Sequence, residues 1–512
     1  MRIASPARIL SIGAIAVSVG VVAATIAFGG ASAREETALG HRVHAHGHAL
    51  PRLPLGLESF GAPPDAGSRL LGTEIVAHFE GGHGARRHPG SGGGQMIYTG
   101  VTAAEPTMGI DKKGQIFYQG MDFSRFPLLP IVVVSRDGGR SWDDVTPPTH
   151  LHTQDPMLYV DRSTGRVFTA DLTFPCTTVS HNDDVEGSWT TSQACGLTDH
   201  QNVFTGPPVE SSTTGYPNIV YLCAIDGGAL ADASTATSCL KSLDGGIAWV
   251  RTGAPAYTSD PRQEDGNRGI RGFCDGGTGH GFVDSKGVVY LPRGWCGRPY
   301  LAISKDEGAT WERVRVTDRL MPRHPSGVFE HEAAVAVDER GNIYYFWTSQ
   351  NRLPYLTVST DGGKHFSKPM MIGPPGLKES WGPTIEIGDT GKIALAYVGS
   401  TNAPGGDSPD GFGPEYTEEV TWNGYITTSI DALSKKPRFF TASVNPRFDP
   451  IMRGECGVIR CGAQLDFIDV VIGPDGAPWT SMVDGWCLHP ADPCPDIGQG
   501  FVGTVMGGPK LR

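Results

Sequence analysis

An eight-residue pattern, Ser-x-Asp-x-Gly-x-x-aromatic, recurs four times and constrains the fold of this chain more than any other feature. It runs from Ser135 to Trp142, from Ser242 to Trp249, from Ser304 to Trp311 and from Ser359 to Phe366. Degenerate versions are expected from Ser180 to Trp189, with extra residues, and around Ser429 to Asp431. The physical reading is a hairpin. An apolar strand such as Ile131 to Val134 enters, the Ser and Asp oxygens accept from turn N–H groups, and Gly supplies a positive φ. The aromatic begins the returning strand and packs into a sheet. Side chains committed to their own turn are poorly placed for catalysis, so these residues read as structural.

A second, weaker repeat is a polar or acidic residue, a short apolar strand that often ends in Asp, a Gly turn, and a strongly β-forming strand. It appears as Glu105 to Tyr118, Asp155 to Phe168, Gly279 to Tyr290, Glu332 to Tyr345, Gly382 to Ala396 and Asp466 to Trp479. A divergent unit fits between the second and third, with Asp199 to Val203 entering and Asn218 to Leu222 returning. The units begin near residues 105, 155, 200, 279, 332, 382 and 466, and most spacings match a four-stranded propeller blade of roughly 40 to 50 residues. The two longer gaps read as loop insertions in the third and sixth units. The expected fold is therefore all-β, a propeller of seven blades, with six the alternative. Seventy Gly and 39 Pro suit short strands joined by tight turns and argue against a helical protein. A sandwich or a closed eight-stranded barrel would not repeat a two-hairpin unit in this way.

The Ser-Asp pattern resembles the Asp boxes of the sialidase-like superfamily, the BNR-repeat proteins, across most of residues 100 to 505. The resemblance implies boxes at the blade periphery, away from an active-site mouth. It also implies a wide choice of functions, from six-bladed sialidases to seven-bladed xyloglucan hydrolases, assembly factors and sorting receptors, so fold does not fix function. A standard sialidase would carry three clamping arginines, an Asp acid/base, a Tyr nucleophile with its Glu, and an early Arg-Ile-Pro. No Arg-Ile-Pro occurs in this chain, and Arg125 is the one arginine in the stretch leading to the first box. Glu415-Tyr416 with Glu418 imitates the nucleophile pair but reads as a solvated loop. The resemblance is to the superfamily and not to a standard sialidase.

The ends place the chain. Residues 1 to 33 contain Arg2 and Arg8, an apolar stretch from Ile9 to Phe28 and the small triplet Ala31, Ser32, Ala33. This reads as a signal peptide, with an uncleaved N-terminal anchor as the alternative because the apolar stretch approaches the ~20 residues that span a bilayer. Residues 34 to 90 read as a flexible leader with His41, His44, His46 and His48, and residues 91 to 512 as the propeller. Loss of the two arginines would take the formal charge from −12 to −14, which excludes nucleic acid and anionic membrane as natural partners. An extracellular glycan or glycoconjugate, met by a secreted monomer, is the expected partner. The ten cysteines suit disulfides in an oxidising compartment, for example Cys176 with Cys195 or Cys274 with Cys296.

The first strand of each propeller blade lines the axis, so the residues that open the second repeat are the candidate site. Carboxylates Glu105, Asp155, Glu332, Asp466 and Asp469 are candidates for catalysis. Asp199, His200, Arg271, His280, His331 and Trp381 are candidates for substrate contact or pKa tuning. Three chemistries suit such a ring. One is glycoside hydrolysis by a carboxyl pair, another a central-axis cation held by Asp, Glu and His, and the last a hydrated, purely structural channel or non-catalytic glycan or protein binding. The hydrolase reading requires no cofactor. Trp295, Trp422 and Trp486 read as core, while Trp381 is the best placed of the tryptophans for sugar stacking.

Overall fold

The computed structural model describes residues 75–78 and 93–512, apart from 123–127, 150, 154, 174, 186, 227–235, 259–277, 325–326, 329–332, 406–418, 447–448, 455–463, 486–497 and 506. The expected signal segment and early histidines therefore lie outside the described residues. No α-helix occurs among the described residues, so none of them forms a helix long and apolar enough to cross a membrane.

Among the described residues seven antiparallel sheets follow one another along the chain, besides a two-stranded ribbon of Arg323–His324 and Gly327–Val328, and the first five begin with the strand that lies innermost. The innermost strands of all seven are Ala104–Ile110, Pro156–Val160, Thr198–Gly206, Phe282–Val283, Ala333–Val337, Glu379–Ile387 and Asp469–Ile472. We number the blades 1 to 7 in that order. Each innermost strand touches the next, and that of blade 7 touches that of blade 1, so the ring closes. The protein is a seven-bladed β-propeller. Blade 1 shows the standard plan, with Ala104–Ile110, Ile116–Asp122, Leu129–Ser135 and Asp143–Asp144 in spatial order. Its core comes from period-two alternation, which sends Met108, Ile110, Tyr118 and Val133 into one interblade layer and Phe117, Val132 and Val134 into the other.

Blade 7 is assembled from both ends of the described chain. Gly94–Thr102 pairs with Gln499–Val505 and forms the outer strand. This strand closes the ring. Within the stretch read as a leader, Ile75–His78 forms a strand on the outer edge of blade 6, paired with Phe439 to Ala442. The extra chain of the long gaps falls between blades 3 and 4 and inside blade 6, largely outside the described residues.

The four Ser-Asp hairpins join the third and fourth strands of blades 1, 3, 4 and 5 and share one set of hydrogen bonds. Gly139 N donates to Ser135 Oγ at 2.7 Å, and Arg140 N and Ser141 N donate to Asp137 Oδ1 at 2.9 Å. The same Gly-to-Ser bond recurs at 2.8, 2.8 and 2.9 Å in the other three. Each motif glycine also presses on the preceding blade. A Cβ on Gly246 would stand 3.1 Å from Phe168, and one on Gly363 3.0 Å from Ile303. The hairpin is thus an interblade packing device, which explains why Gly recurs there beyond its φ. The degenerate site at Ser429 keeps the Ser–Asp bond, at 3.2 Å to Asp431.

Blade 4 departs from the pattern instructively. Glu307 replaces the first turn glycine and sits at φ 58°. Its buried Oε1 accepts from the backbone of Val209, Glu210 and Ser211 at 2.8, 2.8 and 2.9 Å, and Lys241 donates to Oε2 at 2.7 Å. Burial alone would raise its pKa, but the hydrogen bonds from Lys241, Ser211 and Glu210 outweigh it and hold the carboxyl at about 2.

Two disulfides link pairs of described residues. Cys176–Cys195 ties the third and fourth strands of blade 2, as expected, and Cys223–Cys239 ties the second and third strands of blade 3.

Candidate functional site

The second repeat divides into two ends with different work. At the far end of four innermost strands, those of blades 1, 2, 4 and 5, an Asp caps the following turn. Asp111 Oδ1 accepts from Lys113 N and Gln115 N at 2.9 Å, and Asp284 and Asp338 do the same in their blades. At the near end the strands are irregular. The register shifts between Ala104 and Thr107 in blade 1, between Thr198 and Asn202 in blade 3, and between Trp381 and Thr384 in blade 6. Bulges of this kind re-aim side chains. Glu105, Asp199 and His200 occupy the left-handed region at φ 52°, 54° and 50°. Such a conformation costs on the order of 1–3 kcal/mol for a non-glycine residue and is concentrated at functional sites.

The re-aimed groups meet. One carboxylate oxygen each from Glu105, Asp155 and Asp466 lie within 4.8 Å of one another, and ligand atoms of Asp199, His200 and Asp466 do likewise. Blades 1, 2 and 3 and the chain leading into blade 7 therefore place four carboxylates and an imidazole at one mouth. His200 Nε2 stands 3.3 Å from Asp466 Oδ2, and Asp466 N donates to Glu105 Oε1 at 3.4 Å. Gln201 of blade 3 donates to the backbone carbonyl of Asp155. Glu105, Asp155 and His200 are buried, at 2, 7 and 4 % exposure, whereas Asp199 is exposed.

A second level lies deeper on the axis. His280 Nδ1 is 3.8 Å from Asp469 Oδ1. Burial lowers the His280 pKa to about 4, with a partly opposing hydrogen bond at Ile468. Burial also pushes the Asp469 carboxyl well above its ordinary value, helped by the Glu386 charge. Burial thus disfavours the charged form of both groups, which weakens any ion pairing between them. Phe467 stands against both imidazoles, its ring centroid 5.7 Å from that of His200 and 6.2 Å from that of His280. Arg162 crosses from blade 2 to Glu386 of blade 6 at 3.0 Å and to the Ile472 carbonyl at 3.2 Å. A cavity of about 340 Å³, lined from all seven blades, holds His280, Asp469, Arg162 and Glu386.

The expected site residues thus separate. Glu105, Asp155, Asp199, His200 and Asp466 come together, and Asp469 and His280 form the deeper pair. Trp381 does not present a stacking face. It is 5 % exposed and lies in the core shared by blades 6 and 7 with Val398, Trp422 and Ile468, next to the register shift between Trp381 and Thr384, where Gly382 takes φ 66°. Trp295 and Trp422 are core, as expected. Glu332, His331 and Arg271 lie outside the described residues. Sequence reasoning missed Glu386 and Arg162 on the axis, and Asp171, a fully buried carboxyl behind the mouth. A charge inside a strand that otherwise reads as apolar was the available signal in IEI for Glu386 and FTADL for Asp171.

The fold defines the class, a β-propeller whose seven blades set it apart from the six-bladed plan that the resemblance gives standard sialidases. Similar solved structures include an α-L-arabinofuranosidase from Fusarium graminearum, 14% identical, covering 66% of this chain and 97% of that one with a TM-score of 0.40. The YCF48 protein from Cyanidioschyzon merolae is 10% identical, with 80% and 98% covered and a TM-score of 0.42. A leech intramolecular trans-sialidase is 13% identical, with 75% and 66% covered and a TM-score of 0.36. No protein-family model and no curated protein matches the sequence.

Proposed function

We propose that this chain is a secreted propeller hydrolase that cleaves an extracellular glycan at its acidic mouth, using Glu105, Asp155 and Asp466. The observation that carries the reading is the convergence of these three carboxylates within 4.8 Å from blades 1 and 2 and the approach to blade 7. Carboxyl groups about 5–5.5 Å apart suit a retaining mechanism, whereas inverting pairs stand roughly 6.5–9.5 Å apart to admit water. One carboxyl, kept protonated by its charged neighbours, donates to the leaving oxygen, and a second attacks the anomeric carbon. His200, against Asp466, sets which carboxyl holds the proton, and exposed Asp199 contacts substrate. Glu332, His331 and Arg271 are the next candidates for contact, with Asp469 and His280 as deeper polar support. Two disulfides and the apolar, Ala-Ser-Ala-terminated first 33 residues support secretion.

A hydrolysis screen over plant and animal glycans, run with Glu105→Gln, Asp155→Asn and Asp466→Asn variants of unchanged circular dichroism, tests this. Turnover should fall at least about 100-fold in the variants that remove the acid or the nucleophile. Binding to a glycan array with no turnover on any substrate would mark a non-catalytic module instead.

A second reading, a bound cation, is favoured by the imidazole of His200 within 4.8 Å of two carboxylates. Calorimetric titration with calcium and with zinc after chelator treatment decides it, and absence of heat with both excludes it.

A further inference from the structure

We propose that Asp171 is a positioning residue for Glu105 and Asp155, holding the junction of blades 1 and 2 behind the mouth through its bond with Gln119. This inference rests on the reading of those two carboxylates as the working groups of the site.

The geometry is specific. Asp171 belongs to the second strand of blade 2 and lies directly across from Pro156, the residue after Asp155. Gln119 belongs to the second strand of blade 1 and lies across from Thr107, just past the bulge that carries Glu105. Gln119 Nε2 donates to Asp171 Oδ1 at 2.9 Å, which joins the two blades one strand outward of both carboxylates. A parallel tie runs from Leu158 N to Thr107 Oγ1 at 2.8 Å. Asp171 is 1 % exposed, and its Oδ2 has no hydrogen-bond partner among the described residues. A buried, half-satisfied carboxyl is costly, and Asn would make the same contact with Gln119 without the charge.

The neutral acid is the form that suits this place. Burial pushes the Asp171 carboxyl up to about 7 against the lowering effect of Gln119. The neighbouring elements bring Gln119 from blade 1, Thr178 from the next strand of blade 2 and, as titratable groups, Asp155 and Glu105 at the mouth. Ionised Asp171 would add a negative charge behind two carboxylates that already converge. Proton loss from Asp171 therefore strengthens the Gln119 bond while setting a third negative charge behind Glu105 and Asp155, which changes how that pair shares its proton.

Infrared difference titration of the full chain tests this without a substrate. The wild type should show a protonated, buried carboxyl band that is lost with a midpoint near 7, and Asp171→Asn should lack it. Carboxylate bands assigned by Glu105→Gln and Asp155→Asn should shift their titration midpoints in Asp171→Ala and return in Asp171→Asn. If Asp171→Ala does not fold, Gln119→Leu supplies the same comparison. A band that survives Asp171→Asn, or mouth carboxylates that titrate as in wild type in the folded variants, overturns the proposal. Failure of the hydrolase reading would appear in the glycan screen and leave these bands as they are. Where turnover is found, Asp171→Asn should keep kcat at acid pH and flatten the decline near neutrality, which a merely structural residue would not do.

Discussion

The outer hairpins and the inner mouth are opposite ends of the same blades, and they treat repetition in opposite ways. At the periphery four hairpins use the same Ser, Asp and Gly with nearly the same bond lengths, and glycine takes every left-handed turn position but that of Glu307. At the mouth the equivalent positions are filled by Glu105, Asp155, Asp199 with His200, and Asp466, and the left-handed conformation is imposed on residues that resist it. Repetition marks what each blade needs to stand. Variety at a repeated location marks what the ring needs only once, a site assembled from several blades.

Several substitutions probe that contrast. The largest effect belongs to Asp171. With the folded carboxyl at about 7 and the unfolded one near ~3.9, its stabilisation is fully present below ~3.9 and is lost as pH rises through 7. Asp171→Asn should remove this slope, worth on the order of 4 kcal/mol between pH 4 and 8, as measured by denaturant unfolding at several pH values. Glu307 comes next and has the opposite sign. Its stabilisation is present above an unfolded pKa of ~4.3 and fades as pH falls toward its folded value of about 2. Glu307→Ala should cost about 3 kcal/mol at pH 7 by stranding Lys241 and three backbone N–H groups. Glu307→Gly should cost about 1 kcal/mol less, because it relieves the positive φ.

The next pair reverses direction between the two regions. Gly246→Ala, at φ 101° and against Phe168, should destabilise by about 2 kcal/mol. Glu105→Gly should raise stability by about 1 kcal/mol through relieved strain while abolishing function. Thermal midpoints that fall for both would remove the strain argument at the mouth. The smallest effect is expected at Ile247, exposed at the tip of the blade 3 hairpin, where Ile247→Ser should change stability by less than about 0.5 kcal/mol.

What the sequence disclosed follows the same division. The hairpins were legible because their bonds are local. Ser135 reaches Asp137 and Gly139 within five residues, so the pattern and the structure coincide. The blade count was legible from the alternation and Gly turns of the second repeat. The gathering of Glu105, Asp155 and Asp466 was legible only as a set of strand beginnings, since nothing local says that residues 105 and 466 touch. Trp381 shows the limit. It lies within the innermost strand Glu379–Ile387, where a bulge of one or two residues decides whether a side chain faces the mouth or the core, and Gly382 carries too little signal to settle that. Gln119 and Asp171, 52 residues apart, have no common motif. Their pairing follows from blade geometry alone.

The ring closes where Thr99 meets Gly500, 401 residues away in sequence. During synthesis the early strand Gly94–Thr102 must wait, with its hydrogen-bonding edge uncovered, until nearly the whole chain has emerged. Contacts of such range form slowly, and open edges invite pairing with other chains. The interval before closure is therefore the time at which this protein is most exposed to aggregation, and any change that slows blade 7 lengthens it.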